Sequence, residues 1–529
     1  MFDLLVRDAW VLDGTGAPAL RADIGVRDGR IGALGRLAAA QAARVIEAAG
    51  RYVLPGFIDT HAHGDSAVLD PATQLAALSQ GVTTLVLGQD GLSYAPASPS
   101  TVEFVERYFA AVNGPRPAFA AGADRPLRVS DLLAGYTGGT ALNTAYLVPH
   151  GTIRYEVLGA AARRPDGEEL SRMLGLVEQA LGDGAVGLST GLEYAPGRYA
   201  DAAELAYLCQ PLGALPYVTH MRGYEDRAAG AMAEVTTIAR TAGVAAHVSH
   251  YHGPAGQLVP LVDRARDEGL DVTFDSYPYL RGSSILALVT LPDWLPTADA
   301  EATCAALRDE DVRRRLRAGW PDELWSGVTL SHVPHPDWRW TEGLRVAEAA
   351  RRVGRAPQDV ALDLLTATRL EVGCVFDQPP TNSEESVRAL LRHPAHMTGS
   401  DGIYQGGHPH PRGYGTFARM LSRYVRELGD WSWEQAAVHL AGHPARRFGL
   451  AGNRASPVTG SASVAGRGLL RTGFAADLSV LDPAAVAERA TYEAPRTPAG
   501  GVSHVVVGGV VVFENGALTG ATPGRALRP

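Results

Sequence analysis

Two regimes of hydrophobic and polar patterning divide the chain. Over residues 1–54, short β-like runs alternate with turns. Residues 2–6, 9–12, 24–26, 30–33 and 45–47 read as strands, with Asp13-Gly14 and Asp28-Gly29 as hairpin turns. Residues 468–529 behave the same way, with strands over 476–481 and 502–513 and a turn at Gly508-Gly509. Neither end is large enough for a full β domain. The pattern predicts one small β-sandwich assembled from both ends.

Between these ends, apolar runs of strand length alternate with stretches of helical period. The strand candidates end near His63, Gly88, His150, Thr190, His220, His250, Tyr277 and Asp401. Helical patterns cover residues 168–181, 225–242 and 261–268, among others. About eight strands alternating with helices predict a (β/α)₈ barrel of the α/β class over residues 55–450. Residues 286–353 are rich in Trp, Pro and charge and include a helical pattern over 300–318. They read as an insertion before the last strand that caps the barrel mouth. Residues 452–466 are rich in Gly, Ser and Ala and read as a linker back to the sandwich.

Composition narrows the partners. A chain of 529 residues can bury a large core. A net charge of -9 argues against a nucleic-acid surface. The first residues show no basic segment followed by an apolar core, so no signal peptide is expected. No apolar stretch reaches membrane-spanning length. Cys209, Cys304 and Cys374 are far apart and form no metal-ligand pair, which fits a reducing cytoplasm. Abundant Ala, Arg and Gly with no Lys point to a GC-rich bacterial genome.

The candidate chemistry lies at the strand ends. In Pro55-Gly56-Phe57-Ile58-Asp59-Thr60-His61-Ala62-His63 the two histidines are two residues apart on a strand, so both point to one side. They close the strand at the end where parallel barrels carry their chemistry. A single histidine there is more often hydrogen-bonded than ligated. The set His61, His63, His220 and His250, with Asp401 on the last strand and Asp90 after the second, points to a metal site of the imidazole–carboxylate kind.

These stretches resemble a known family. Gly56-Phe57-Ile58-Asp59-Thr60-His61-Ala62-His63, Gly187-Leu188-Ser189-Thr190-Gly191-Leu192-Glu193-Tyr194 and Gly399-Ser400-Asp401-Gly402 are similar to motifs of the amidohydrolase superfamily. His408-Pro409-His410-Pro411-Arg412 strengthens the match to its D-aminoacylase (N-acyl-D-amino-acid deacylase) branch. The resemblance implies zinc-dependent hydrolysis of the amide of a small N-acyl-D-amino acid. It matches His220 and His250 to ligands of a tight zinc site, and His61 and His63 to a weaker second site. It matches Asp401 to the catalytic aspartate that also touches the weaker site. Arg412 corresponds to the arginine that grips the substrate carboxylate. Tyr277 and Ser283 correspond to positions beside the scissile amide and the carboxylate.

Two departures stand out. Where the family carries a metal-binding cysteine after the second strand, this chain has Gln89-Asp90-Gly91. A carboxylate can bridge two divalent ions, and it is a harder ligand than thiolate. Glu193, after the fourth strand, is the alternative bridge. After His250, where the family places a lysine that helps bind the carboxylate, this chain has Tyr251-His252. His150 reads as a structural residue of the mouth, His408 and His410 as residues that order their loop, and Arg281 as solvated. Two other readings stay open: a related amidase, cyclic amidase or dipeptidase of specialised biosynthesis, and a metal-free scaffold homologue. The second is disfavoured because the histidines and the last-strand aspartate are all kept.

Overall fold

The structure is a computed structural model and describes residues 1–37, 39–122, 125–321, 323–452 and 466–529. Eight parallel strands form a closed barrel. They are β1 (Phe57–Asp59, resuming at Ala62–His63), β2 (Val82–Leu87), β3 (Asn143–Tyr146 and Val148–Pro149) and β4 (Leu188–Gly191). β5 (Tyr217–His220), β6 (Ala246–Val248), β7 (Val272–Ser276) and β8 (His396–Thr398, resuming at Gly402–Ile403) complete it. Neighbours pair in parallel around the ring. Closure comes from Gly402 and Ile403 pairing with Ala62 and His63. The strands are short and buried on both faces, as a parallel sheet covered by helices requires.

The helices between strands carry one apolar face. Gly167–Asp183 shows how the sequence sets such an element. Asp166 caps its N-terminus by accepting from Glu169 N at 2.9 Å, and Glu169 returns the bond in a capping box. Met173, Val177 and Ala180 recur at helical spacing and are buried. Gly184, at φ 115°, ends the helix in left-handed backbone. Burying each apolar side chain of Val or Met size stabilises by about 1.5–3 kcal/mol.

Strands from both ends of the chain join in one nine-stranded sheet. The junction is Leu478–Leu481 lying antiparallel to Tyr52–Pro55. This sheet encloses its own apolar core, including Leu4, Val6, Ile24, Ile46, Leu478 and Val506. Two of the three predicted hairpin turns form at their glycines, whereas the connection at Asp13-Gly14 is a longer loop over residues 12–19 between Phe2–Val11 and Leu20–Arg27. Asp28 and Gly29 take φ 51° and 72°, and Gly508 and Gly509 take 53° and 82°.

The inserted segment is wider than its composition indicated. Arg281–Ile285 is already a strand of it, paired antiparallel with Gly373–Asp377, which also pairs with Val328–His332. The insertion therefore runs from Arg281 to Asp377, not over 286–353. The helical pattern of residues 300–318 is two helices, Ala300–Ala306 and Glu310–Gly319, separated by a cap at Asp309. The linker read over 452–466 lies, except for its two ends, outside the described residues. Among the described residues no helix is long and apolar enough to cross a membrane.

Candidate metal centre

His61, His63, Asp90, His220, His250 and Asp401 meet at the C-terminal mouth of the barrel, all buried. Two donor sets lie with ligand atoms within 4.8 Å of one another: His61, Asp90 and His250, and His61, His63 and Asp401. His61 Nε2 and His63 Nε2 are 3.3 Å apart. His220 Nδ1 lies 2.8 Å from His250 Nε2.

Asp90 sits between the sets. Its Oδ1 is 3.6 Å from His61 Nε2 and 3.8 Å from His250 Nε2, and its Oδ2 is 3.6 Å from His63 Nε2 and 3.7 Å from His220 Nδ1. Glu193 turns away from this point. Its Oε2 lies 3.0 Å from His220 Nε2, the nitrogen opposite the cluster, and its Oε1 accepts from Arg227 at 2.6 Å. Of the two acids weighed for the bridge, Asp90 holds the central position. Its buried Oδ1 has no hydrogen-bond partner, an arrangement that costs stability unless something positive occupies the gap.

The electrostatics favour a cation. Burial pushes the Asp90 carboxyl up, but His61, His220, His250 and His63 hold it well below the usual carboxylate range. Burial disfavours the His63 imidazolium, yet Asp401 and Asp90 raise that group to about 10. Against the same desolvation, Asp90 and Glu193 raise His220 to about 9. The carboxylates that draw protons onto these rings would draw a divalent ion into the same space. Imidazole and carboxylate donors suit zinc.

Three of the six donors sit on left-handed backbone: Asp90 at φ 54°, His250 at 35° and Asp401 at 48°. Neighbouring backbone approaches closely there. A Cβ built on Gly191 would lie 2.2 Å from Asp90 O.

A cavity of about 840 Å³ opens over the cluster, and Arg412, Tyr277, Ser283 and His252 line it with His63, Asp90, His220, His250 and Asp401. Arg412 is fully buried and donates through Nη2 to Asp401 Oδ2 at 2.8 Å. Its guanidinium lies 4.7 Å over the Tyr277 ring. Arg412 is therefore tied to Asp401 as well as being available to a ligand. Ser283, on the first inserted strand, donates its hydroxyl to Cys374 O at 3.0 Å. His252 donates from Nδ1 to His250 O at 2.6 Å and stacks on Tyr224. Burial and the neighbouring His250 lower it to about 4, so it is neutral near pH 7 and does not replace a lysine's charge. His150 pairs with Glu204 at 2.9 Å in a buried contact shared with Arg154.

Three positioning side chains were not among the sequence candidates. Asp275 accepts from His250 N at 2.8 Å and lies 3.6 Å from His61 Nδ1 and 3.0 Å from His247 Nε2. A carboxylate inside the strand pattern Val272–Ser276 was the available signal, since a buried acid needs partners. Asn113 Oδ1 lies 3.2 Å from His63 Nδ1. Tyr194 OH lies 3.4 Å from His220 Nδ1. No local pattern marked either.

Comparison with known proteins converges on the same chemistry. A model of the amidohydrolase family matches residues 44–513. The chain is 35% identical over 546 residues to N-acyl-D-glutamate deacylase of Alcaligenes xylosoxydans xylosoxydans, covering 99% of this chain and 96% of that one. It is 34% identical over 540 residues to D-aminoacylase of the same organism, covering 99% and 97%. A solved structure of N-acyl-D-glutamate deacylase from Bordetella bronchiseptica, complexed with zinc and a phosphonate mimic of the tetrahedral intermediate, superposes with a TM-score of 0.80. The two chains are 32% identical and each is covered in full.

Proposed function

The chain belongs to the amidohydrolase family, and from that premise we propose that it is a zinc-dependent hydrolase of N-acyl-D-amino acids. It cleaves the amide with water to give a carboxylate and a free D-amino acid. The observation that carries this reading is the buried cluster of His61, His63, Asp90, His220, His250 and Asp401 beneath a cavity that also holds Arg412. His220 and His250 with Asp90 hold the tight site, and His61 and His63 with Asp90 and Asp401 hold the weaker one. A zinc ion bound there supplies the Lewis acidity that activates water and polarises the amide carbonyl.

The chain's own groups supply the rest. Arg412 holds Asp401 Oδ2, which leaves Oδ1 facing His63 Nε2 at 3.3 Å and His61 Nε2 at 3.6 Å. Asp401 takes the proton of the attacking water through Oδ1 and delivers it to the leaving amide nitrogen. Such acid–base help is worth about 10²–10⁴ in rate. Arg412, with Tyr277 and Ser283 beside it, anchors the substrate carboxylate. Attachment at the carboxylate and at the carbonyl fixes two arms around Cα, and the part of the cavity wall that admits the side chain, the third contact, then selects one enantiomer. His252 lines the pocket as a neutral group. Three buried free thiols fit a bacterial cytoplasm as its place.

The test is chiral product analysis of the zinc-loaded protein on paired N-acetyl-D- and N-acetyl-L-amino acids. The D series should be cleaved and the L series spared. Asp401→Asn should lose at least ~10²-fold in turnover with the tight zinc retained. Equal cleavage of both enantiomers, or near-normal turnover in Asp401→Asn, would overturn the reading.

A further inference from the structure

Between the antiparallel sandwich strands Leu478–Leu481 and Val502–Val507, the chain leaves the sheet over residues 482–501 and crosses to the barrel. A hairpin link needs about 2–5 residues, so most of this stretch is not needed to connect the sheet. It is fastened to the barrel by polar contacts. Arg426 Nη1 donates to Val486 O at 2.6 Å. Glu488 accepts from Arg419 Nη1 at 2.9 Å and from the Tyr279 hydroxyl at 2.6 Å. His408 Nε2 donates to Tyr492 O at 2.6 Å. Gly415 lets helix Arg412–Arg419 lie this close, since a Cβ there would meet the Tyr279 hydroxyl at 2.7 Å and Glu488 Cγ at 3.0 Å.

Tyr492 is where this strap meets the Arg412 loop. Its ring lies 5.2 Å from the fully buried His410 ring, edge to face, and its hydroxyl is 3.4 Å from His410 Nε2. His410 Nδ1 in turn accepts from Arg412 N at 3.0 Å. Burial and the neighbouring Arg412 cation hold His410 well below its ordinary value, so the ring is neutral and Nδ1 keeps the lone pair that this bond uses. The Tyr492 ring also carries Arg281, whose guanidinium lies 4.2 Å over it and binds Asp377 Oδ1 at 2.7 Å. Arg281 is therefore tied down, not solvated as its sequence context suggested. Tyr279 and Arg281, the two residues held by the strap, lie between Tyr277 and Ser283, which flank the Arg412 guanidinium.

We propose that residues 486–492 are a positioning element of the carboxylate clamp, with Tyr492 at its centre. Through His410 they set the backbone from which Arg412 reaches, and through Tyr279 and Arg281 they set the strand beside it. This rests on the function proposed above, in which Arg412 anchors the substrate carboxylate. Arg412 must meet Asp401 and the substrate at once, and a displacement of about 1 Å caused by a distant change can cost about 10²-fold in rate. Neither Tyr492 nor His410 lines the cavity, so their effect on the reaction passes through the residues that do.

The experiment is a double-mutant cycle on kcat and KM for N-acetyl-D-leucine with the zinc-loaded full chain. Tyr492→Ala should lower kcat/KM by at least about 10-fold, mainly by raising KM, with zinc content unchanged. In an Arg412→Ala background the same change should cost less than about 2-fold, because a residue that acts through another adds nothing once that partner is gone. Tyr492→Phe keeps the ring and loses only a hydroxyl contact of 3.4 Å, so it should stay within about 3-fold of wild type. His410→Asn can accept the Arg412 N–H through its own side chain, as asparagine does from the amide two residues on, and should lie closer to wild type than His410→Leu. If Tyr492→Ala does not fold, His410→Leu takes its place in the cycle. A loss of equal size in both backgrounds, or no loss at all, overturns the inference and leaves the deacylase reading standing. Wild-type protein inert on N-acetyl-D-leucine overturns both.

Discussion

Arg412→Ala removes two interactions at once, and the pH profile separates them. The guanidinium is 1% exposed and donates to Asp401 Oδ2 at 2.8 Å. Burial pushes the Asp401 carboxyl up, and Arg412 is the first group that holds it down, below the usual carboxylate range. Two unit charges about 4 Å apart interact by ~4 kcal/mol at an effective dielectric of about 20. At about 1.36 kcal/mol per pKa unit, losing the cation raises the Asp401 carboxyl by up to ~3 units. Asp401 acts as a base in its ionised form, which is present above its pKa. The acid limb of kcat must then move to higher pH in the variant. Separately, the lost carboxylate anchor removes a charge-assisted hydrogen bond worth about 1.5–3 kcal/mol, a roughly 10- to 150-fold fall in kcat/KM, mostly through KM. The assay is kcat and KM on N-acetyl-D-leucine from about pH 3.5 to about pH 9, for wild type, Arg412→Ala and Arg412→Lys, so that the range spans a carboxylate raised by up to ~3 units. The lysine variant restores a point charge without the planar fork, so it should recover the acid limb better than it recovers KM. An Arg412→Ala enzyme with unchanged KM and an unchanged acid limb would refute both roles.

Asp90→Ala should lower bound zinc and activity together, measured by elemental analysis and turnover on one preparation; full zinc content in the variant would remove Asp90 from the ligand set. Gly191→Ala places a Cβ 2.2 Å from Asp90 O, and overpacking of this kind costs about 1–3 kcal/mol. It should lower Tm and zinc affinity together, and a variant with wild-type zinc affinity would show that this close approach does not set the position of Asp90. His439 is held neutral by burial and by His443, at about 4. Its ordinary value near 6.5 makes the unfolded chain bind the proton first, so stability falls as pH drops below about 6.5, by about 2 kcal/mol at pH 5. The stability gap between wild type and His439→Gln, read by urea unfolding with zinc saturating, should narrow by that amount between about pH 7.5 and pH 5; a constant gap would exclude this proton linkage.

Much of the site was readable because strand geometry is local. Alternation of period two puts His61 and His63 on one side, and the strand-end position tells which end of the barrel they face. His220, His250 and Asp401 follow the same logic on their own strands. What depended on long-range pairing was not readable. Arg281–Ile285 pairs with Gly373–Asp377 across about ninety residues, and Arg-Gly-Ser-Ser-Ile carries weak strand character, so the insertion was read too narrowly. The Arg412–Asp401 ion pair arises because the loop after β8 returns the start of helix Arg412–Arg419 to the mouth. The family resemblance matched Arg412 to the substrate carboxylate, and nothing in the sequence pointed to its hold on Asp401. The neutrality of His252 follows from burial and from His250 beside it, neither of which is visible in Tyr251-His252.

The left-handed backbone at Asp90, His250 and Asp401 explains how the donors are aimed before any ion arrives. Such conformations cost of order 1–3 kcal/mol each in non-glycine residues and persist only where neighbours enforce them. Each of the three has an enforcing contact. Ser189 Oγ donates to Gly88 O at 2.5 Å and accepts from Gly91 N at 3.2 Å, bracketing the turn that carries Asp90. Asp275 accepts from His250 N. Asp401 N donates to His61 O at 2.8 Å, while Asp59 accepts from both the backbone N and the hydroxyl of Ser400 beside it. These clamps come from β4, β7 and β1, strands other than the ones whose donors they hold. Barrel closure therefore sets the donor geometry. An ion entering such a site needs little reorganisation of the backbone, so its binding free energy is not consumed in ordering loops. A carboxylate at position 90 fits this scheme: its two oxygens reach donor nitrogens on three strands while the strained turn keeps the side chain from swinging out.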